Sequence, residues 1–449
     1  MRRLLALALA VLSMASAWAA LRPEAAPTAA LAPERPVWSA DRLPALLAEA
    51  QGTVDLERAV DQLLGKFKSC VAVYEGDRPV LVRQPDRPLT PASTQKLLVA
   101  AVALSVLGPD FRFATKLVAA EPPRDGIAGG LWLVGSGDPL LSTPEHAAFL
   151  ATKPKAQDRK PTPLTELADG LVRAGIRSVP GGIRGDDSRY DRIRTVPTWR
   201  PSYIAQNEIG PLGALIVNGG FSAFTPPEHR AADPAAHAAG ELARLAHDRG
   251  VDLPLAGESG AAPENAVTIA EVRSEPLREI VAAMLRESDN LAAELLTKEL
   301  GRQRAGEGST PAGTAVIARE LAGVGLPVTG LRLGDGSGLE VTNTATCGLL
   351  ASVLRLQPRG GPALRDLLAV AGRSGTLVQR LVDTPLAGKL AAKTGSLEGV
   401  TGLAGYLDGR RPLSFAVLAN GNFSEMGGRL LQDRLVALLA LYPGPQPRL

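Results

Sequence analysis

Residues 91 to 107 read Pro91-Ala-Ser-Thr-Gln-Lys-Leu-Leu-Val-Ala-Ala-Val-Ala-Leu-Ser-Val-Leu107, and Gly108 follows directly. After Lys96 the segment is apolar almost throughout, and a helix that is apolar on nearly every side is a buried one. A glycine is a common residue just past a helix end. The sequence therefore predicts a core helix that carries Ser93 and Lys96 in its first turn.

Ser93 and Lys96 are three residues apart, so their side chains share one face of that helix and can touch. A serine hydroxyl is a weak nucleophile until a base removes its proton. A lysine amine can be that base when burial, a neighbouring cation or the helix dipole lowers its pKa. Considered singly, Ser93 could simply cap the helix and Lys96 could be a surface lysine.

Two more short motifs follow along the chain. Ser288-Asp-Asn290 lies between two helical segments. Lys393-Thr-Gly395 lies in a segment that precedes a predicted hairpin, Gly402–Leu407 and Leu413–Ala419, with its turn at Asp408-Gly409. Asn290 alone could be only a helix cap, and Lys393 alone a solvated strand residue. Ser-x-x-Lys, Ser-x-Asn and Lys-Thr-Gly each occur once in the chain, in this order, which favours one catalytic cleft.

These three motifs resemble those of penicillin-binding proteins and serine β-lactamases. The long stretch between the first two motifs is similar to the D-alanyl-D-alanine carboxypeptidase/endopeptidase family typified by penicillin-binding protein 4, the low-molecular-mass class C penicillin-binding proteins. The resemblance covers roughly residues 45–440. Further segments fit it: Gly137-Asp-Pro139, Gly185-Asp-Asp-Ser188, Ala214-Leu-Ile-Val-Asn218, Asp335-Gly-Ser-Gly-Leu339 and Ala371-Gly-Arg-Ser-Gly-Thr-Leu377.

The resemblance implies an α+β fold, in which an antiparallel sheet is flanked by helices and a large inserted region adds one or two mostly β subdomains. The expected divisions are a signal peptide (1–19), a flexible leader (20–42), a catalytic domain (43–112 plus 273–449) and the insertion (113–272). It also implies a serine DD-peptidase that hydrolyses D-Ala-D-Ala ends or D-Ala-diamino-acid cross-links of peptidoglycan and is acylated by penicillins.

The resemblance assigns four catalytic side chains to the first two motifs. Ser93 would attack the carbonyl of the penultimate D-Ala and form an acyl-enzyme, with Lys96 as general base. Ser288 would relay a proton towards the leaving D-Ala. Asn290 would hold the substrate backbone and Lys96.

The third motif supplies the remaining groups. Lys393 would neutralise the terminal carboxylate of the substrate and keep Lys96 unprotonated by like-charge repulsion. Thr394, Gly395 and Ser396 would contact the substrate, and the backbone N–H groups of Ser93 and Ser396 would form the oxyanion hole. The resemblance implies no metal and no organic cofactor.

One segment departs from the family pattern. Family members often carry Ser-Arg after Asp-Gly-Ser-Gly-Leu, where this chain has Glu340-Val341, which puts specificity for a diaminopimelate side chain in question. Asp186, in the insertion, is a candidate partner for a side-chain amine of the stem peptide. The alternative is that Asp186 and Asp187 are a turn pair.

The N-terminus predicts export. Arg2 and Arg3 precede a short apolar run that reaches Met14, and Ala17-Trp-Ala19 follows, which is typical of a signal peptide. The alternative is a buried N-terminal helix. No later run is long and apolar enough to suggest a membrane span. We therefore expect a periplasmic, extracellular or cell-wall-associated protein.

The charge and composition of the chain argue against nucleic acid as a partner. The formal net charge of +3 falls to +1 when the two arginines of segment 1–19 are removed, and aromatic residues are only 4%, so nucleic acid is not an expected partner. The four histidines form no recognisable ligand cluster. Cys70 and Cys347 could form a disulfide outside the cytoplasm or remain two buried thiols, and the sequence favours neither.

Two other functions remain open at this point. A serine β-lactamase would need a base that deacylates the penicilloyl-enzyme quickly, and a non-catalytic wall-binding scaffold would need only the fold. The intact residues of the three motifs argue against the scaffold. The long insertion resembles the peptidase family better than a β-lactamase.

Overall fold

The computed structural model describes residues 43–156, 159–356 and 361–447. The expected signal peptide and leader lie outside these residues. The helices are α1 (Leu43–Leu64), α2 (Lys96–Leu107), α3 (Pro144–Ala151), α4 (Thr165–Arg173), α5 (Pro201–Ala205), α6 (Pro234–His247), α7 (Leu277–Glu287), α8 (Asn290–Ala305), α9 (Thr310–Gly323), α10 (Cys347–Leu354), α11 (Leu364–Leu367) and α12 (Glu425–Leu441).

Most of the described strands belong to two sheets. The strands are β1 (Lys68–Glu75), β2 (Arg78–Arg83), β3 (Ala114–Ala119), β4 (Leu131–Val134), β5 (Leu141–Ser142), β6 (Thr162–Pro163), β7 (Ile183–Asp186), β8 (Phe221–Ala223), β9 (His229–Arg230), β10 (Glu258–Ser259), β11 (Val267–Arg273), β12 (Ala369–Val370), β13 (Leu390–Leu397), β14 (Val400–Asp408) and β15 (Pro412–Asn420). The main sheet has the order β12-β13-β14-β15-β1-β2, and its neighbours pair antiparallel. The expected α+β class with an antiparallel sheet is confirmed.

Helices cover both faces of the main sheet. Successive strand residues point to opposite faces, so Ala72 packs in a core with α2, α7, α8 and α10, whereas Val71 and Val73 pack in a second core with α1 and α12. The three sequence motifs lie on the first of these faces, where α2 and β13 meet.

The core helix predicted after Lys96 is confirmed, but it begins later than expected. Residues 92–95 form a 3₁₀ turn, and Lys96 is the first residue of α2. Ala92 has a φ of 47°, in the left-handed region, so a continuous α-helix cannot extend back through it. Ser93 therefore lies in the tight turn just before the helix.

The second sheet, with the order β10-β7-β4-β3-β11, lies within residues 114–273 and has a core of its own. Helices α4 and α6 pack in that core, so this region is more helical than the expectation of mostly β subdomains. The alanine-rich face of α6 comes close to β7, because an added Cβ at Gly185 would lie 2.1 Å from the carbonyl oxygen of Ala235. Small residues on both elements allow a helical layer to cover the sheet.

Cys70 and Cys347 form a disulfide, with 5.8 Å between their Cα atoms. The bond joins the main-sheet strand β1 to the first residue of α10, across 277 residues of sequence. Both side chains are fully buried. Within the described residues, none of the helices has the length and apolar character needed to cross a membrane.

Candidate active site

The side chains of Ser93 and Lys96 touch as their spacing predicts. Nζ of Lys96 lies 2.9 Å from Oγ of Ser93, 2.8 Å from Oδ1 of Asn290 and 2.6 Å from the carbonyl oxygen of Ser337. Ser93 is only partly buried, so its hydroxyl can be reached from solvent. The first two motifs thus meet at one lysine amine.

Lys96 is fully buried, and burial lowers its pKa to about 8 against the opposing fields of the Asp335 and Glu294 carboxylates. A charged Lys96 donates to all three oxygen neighbours. A neutral Lys96 has only two N–H bonds, which the amide oxygen of Asn290 and the carbonyl of Ser337 can accept. Its lone pair is then directed at the hydroxyl of Ser93, which is the arrangement that a general base requires.

The carbonyl of Ser337 is a functional group that sequence reasoning missed. Its loop is organised around Asp335, a fully buried carboxylate that accepts hydrogen bonds from Nε1 of Trp199 at 2.8 Å and from Nε2 of Gln95 at 3.2 Å. The backbone N–H of Gly338 donates to it at 2.9 Å. The segment 335–339 was a visible signal, but nothing local indicated that its backbone would contact a lysine.

Glu294, on α8, holds the same loop from the other side. Its Oε1 accepts the backbone N–H groups of Gly336 at 2.9 Å and Ser337 at 2.7 Å. Burial, together with the nearby charge of Asp335, raises the pKa of Glu294 to about 8. Glu294 and Asp335 thus fix the position of the carbonyl that binds Lys96.

The second motif forms the tight connection between α7 and α8. Ser288 has a φ of 64° and ends α7, while the Asp289 side chain caps α8 by accepting the N–H of Ala292 at 2.9 Å. The amide of Asn290 is held at both ends, since its Nδ2 donates to the carbonyl of Glu208 at 2.9 Å. The expected capping role of this motif is therefore combined with the contact to Lys96.

Arg159, which lies in the expected insertion, forms ion pairs with the connection between α7 and α8. Its guanidinium lies 2.6 Å from Oε2 of Glu287 and 2.5 Å from Oδ2 of Asp289, and its side chain is only 13% exposed. The two carboxylates flank Ser288 in sequence, so one arginine holds both sides of the serine. No local pattern could have predicted this contact, because it joins segments about 130 residues apart.

The third motif approaches the second. Nζ of Lys393 donates to Oγ of Ser288 at 2.9 Å and to the carbonyl of Thr394 at 2.8 Å. Lys393 is fully buried, and burial together with the positive charges of Lys96 and Lys155 holds its pKa well below the usual value for lysine. The charge of Lys96 therefore disfavours a second positive charge on Lys393.

Thr394, Gly395 and Ser396, which the sequence predicts to contact substrate, lie on β13 next to the turn that carries Ser93. An added Cβ at Gly395 would lie 2.8 Å from the carbonyl oxygen of Pro91 and 3.1 Å from the backbone nitrogen of Thr94, so glycine lets β13 approach the turn that carries Ser93. Oγ1 of Thr394 donates to Oγ1 of Thr376 at 3.1 Å. Ser396 follows on the same strand, partly exposed.

Asp186 lies at the end of β7. It is 6% exposed, and its carboxylate oxygens accept the backbone N–H groups of Ser188 at 2.9 Å and Ala262 at 2.8 Å. These contacts fit the turn interpretation of Asp186-Asp187. Each carboxylate oxygen has a second lone pair, so the contact to an amine of the stem peptide stays a prediction.

The fold and the contact between the Ser93 hydroxyl and the buried amine of Lys96 are those expected of a serine peptidase. Residues 54–228 and 223–442 match the D-Ala-D-Ala carboxypeptidase 3 (S13) family. The chain belongs to this family.

One relative supports this assignment, and two solved structures share the fold. The chain is 35% identical over 366 residues to carboxypeptidase DacB of Mycolicibacterium smegmatis, which covers 78% of this chain and 75% of that protein. Penicillin binding protein 4 of Haemophilus influenzae superposes with a TM-score of 0.71 at 19% identity, over 86% of this chain and 99% of that chain. A penicillin G-acylated predatory endopeptidase from Bdellovibrio bacteriovorus superposes with a TM-score of 0.52 at 20% identity, over 85% and 93%.

Proposed function

We propose that Ser93 is the nucleophile of this serine DD-peptidase and that Lys96 is its general base. The observation that carries the proposal is the environment of Nζ of Lys96, 2.9 Å from the Ser93 hydroxyl with two carbonyl-type acceptors as its other neighbours. With a pKa of about 8, roughly a tenth of the Lys96 amine is neutral at pH 7. That fraction is enough for a base acting near neutral pH.

Acylation then proceeds with balanced proton transfers. Oγ of Ser93 bonds to the carbonyl carbon of the penultimate D-Ala while its proton passes to Lys96. The backbone N–H groups of Ser93 and Ser396 stabilise the oxyanion. When the peptide C–N bond breaks, the proton gained by Lys96 passes through Ser288 to the leaving nitrogen, so Lys96 is neutral again. Water then attacks the acyl carbon while one of its protons passes to Lys96, and Lys96 returns that proton to Oγ of Ser93 as the ester C–O bond breaks.

Lys393 and Thr394 bind the carboxylate of the leaving residue in this mechanism. Because its surroundings disfavour a charged Lys393 in the free site, an incoming carboxylate supplies the missing counter-charge and raises the pKa of that lysine. The two groups therefore bind as a pair. The carboxylate of a β-lactam antibiotic has the same chemistry, which makes these antibiotics the expected covalent inhibitors.

The substrates are D-Ala-D-Ala ends or D-Ala-diamino-acid cross-links of peptidoglycan stem peptides. We assign catalysis to residues 43–112 with 273–449, and treat 113–272 as an insertion that supports the site through Arg159. The signal-like segment 1–19 and the substrate together favour a periplasmic or wall-associated enzyme.

Labelling with a fluorescent penicillin tests the nucleophile. Ser93→Ala should abolish labelling and D-Ala release while the circular dichroism spectrum and melting temperature stay close to those of the wild type. Ser105→Ala, at an exposed position on the same helix, is the matched control and should label normally. Labelling of Ser93→Ala at the wild-type rate would overturn the assignment. Rapid loss of the wild-type label would instead favour a β-lactamase.

A further inference from the structure

Arg159 forms two buried ion pairs at the second motif. Its guanidinium lies 2.6 Å from Oε2 of Glu287 and 2.5 Å from Oδ2 of Asp289, the residues on either side of Ser288. The three charged side chains are 13%, 7% and 11% exposed, so solvent and salt screen their charges poorly. Within the described residues, neither carboxylate forms an ion pair with a second cation. Arg159 therefore supplies the positive charge beside this pair of acids.

The other residues of this connection contact the two buried lysines. Oγ of Ser288 accepts a hydrogen bond from Nζ of Lys393 at 2.9 Å, and Oδ1 of Asn290 lies 2.8 Å from Nζ of Lys96. Along the connection, the partners of the arginine thus alternate with the partners of the lysines. A change in the charge or position of one set is therefore felt by the other.

An ionised carboxylate beside Lys96 works against its role as a base, because it stabilises the ammonium form. Burial lowers the pKa of Lys96 to about 8, and the carboxylates of Asp335, Glu294 and Asp289 oppose that lowering. Asp289 is the one of these three that pairs with an arginine within the described residues. Arg159 thus offsets a negative charge one residue away from the side chain that touches Lys96.

We propose that Arg159 is a positioning residue of the active site, which fixes Ser288 between the two lysines and neutralises the carboxylates on either side of it. The inference rests on the proposed function, in which Lys96 is the base. Because Arg159 belongs to the insertion, the insertion supplies a charge to the site as well as a packing surface. A clamp that only held the connection would change the rate by the same factor at every pH. Loss of a neutralising charge changes the pH at which the rate levels off.

The pH profile of acylation by a chromogenic penicillin separates these two roles. Arg159→Gln removes the cation but leaves Asp289 ionised, because the N–H of Ala292 and the N-terminus of α8 still stabilise its carboxylate. The midpoint of the profile should rise by about one pH unit above the wild-type value, so the rate at pH 7 should fall about 10-fold. Above about pH 9 the two rates should converge.

A second substitution tests whether charge is the cause. Arg159→Gln/Asp289→Asn removes the carboxylate together with the arginine, and asparagine still caps a helix, so the midpoint should return towards the wild-type value. Arg189→Gln is the matched control, because Arg189 also joins the insertion to a buried carboxylate of α8, that of Glu299 at 2.7 Å. Glu299 lies about two and a half turns further along α8 than Asn290, so the midpoint of this variant should not change.

Asp289→Asn alone gives an independent test in a protein that keeps Arg159. The arginine is then left with one carboxylate, that of Glu287, and its excess positive charge disfavours the ammonium of Lys96. The midpoint should therefore fall below the wild-type value, by up to about one pH unit. The two single variants thus shift the midpoint in opposite directions, which a loss of structure alone would not do.

Other charged or titratable groups face Lys96 or Arg159 and are the same in all of these variants: Asp335, Glu294, Glu208, Lys393, His146 and Lys155. Burial raises the pKa of Glu294 to about 8, so this carboxyl titrates within the measured range, and the comparison between variants removes its contribution. Burial lowers the pKa of His146 to about 4, so its ring is neutral throughout the range.

Three results would overturn the inference. They are an Arg159→Gln profile with the wild-type midpoint, whether or not its rate falls; a double variant that keeps the raised midpoint; and an Asp289→Asn midpoint equal to that of the wild type. A wild-type midpoint that persists in Lys96→Ala would instead count against the proposed function, because the titrating group would then not be Lys96.

Discussion

Replacement of Asn290 by aspartate should disable the base without removing it. Oδ1 of Asn290 lies 2.8 Å from Nζ of Lys96, in a site that is closed to solvent at the lysine. A carboxylate in that position stabilises the ammonium form, so the pKa of Lys96 rises. The hydroxyl of Ser93 would then face an ammonium that has no lone pair to accept its proton.

The size of the effect follows from the protonation equilibrium. With the Lys96 pKa at about 8, roughly one molecule in ten has the neutral amine at pH 7. A new opposite charge at hydrogen-bond distance raises a pKa by about 1 to 3 units. A rise of about 2 units leaves about one neutral amine in a thousand, so acylation at pH 7 should slow roughly 100-fold.

The assay is the second-order rate of acylation by a chromogenic penicillin between pH 6 and about 9.5. The wild-type rate should rise with pH and level off above about 8, whereas the Asn290→Asp rate should still be rising at the top of the range. Asn290→Ala is the matched control, because it also loses the contact to Glu208 but adds no charge. A midpoint in Asn290→Asp equal to that of Asn290→Ala would refute Lys96 as the base.

Two further predictions concern the framework of the site. Gly395→Ala adds a Cβ against the backbone of Pro91 and Thr94, so β13 must move away from the turn that carries Ser93. The rate of acylation should therefore fall by about 10-fold or more. Gly323→Ala is the control, because Gly323 has open space around it and the rate should not change. Cys70→Ala/Cys347→Ala removes a link between residues 277 apart and should cost about 2–5 kcal/mol of unfolding free energy, measured by denaturant titration without reductant. Equal unfolding midpoints would contradict the second prediction.

The parts of the site that the sequence predicts are those fixed by local geometry. The spacing of Ser93 and Lys96 places both side chains on one turn, and the apolar run after Lys96 requires a buried helix, which in turn buries the lysine. The capping of α8 by Asp289 also follows from local chemistry. These features depend on neighbours within about four residues, where a sequence pattern carries the information.

The remainder depends on contacts between distant segments. The carboxyl of Glu294 accepts the backbone N–H of Ser337 across 43 residues, and Arg159 reaches Asp289 across 130. Asp186 shows the same dependence on distant contacts, since the N–H that donates to its Oδ2 belongs to Ala262. A carboxylate in a turn and a carboxylate in a binding site have the same local sequence, and only the tertiary structure decides which donors reach it.

The same distant contacts explain why the three motifs can meet at all. Two glycines, Gly338 and Gly395, pack against the turn that carries Ser93. A Cβ at Gly338 would lie 2.1 Å from the carbonyl oxygen of Ala92, and one at Gly395 would lie 2.8 Å from that of Pro91. The loop that binds Lys96 and the strand that carries Lys393 therefore both close onto the turn at distances that only glycine allows. We therefore expect the proposed catalysis to require both glycines, because either Cβ would move one motif away from the serine.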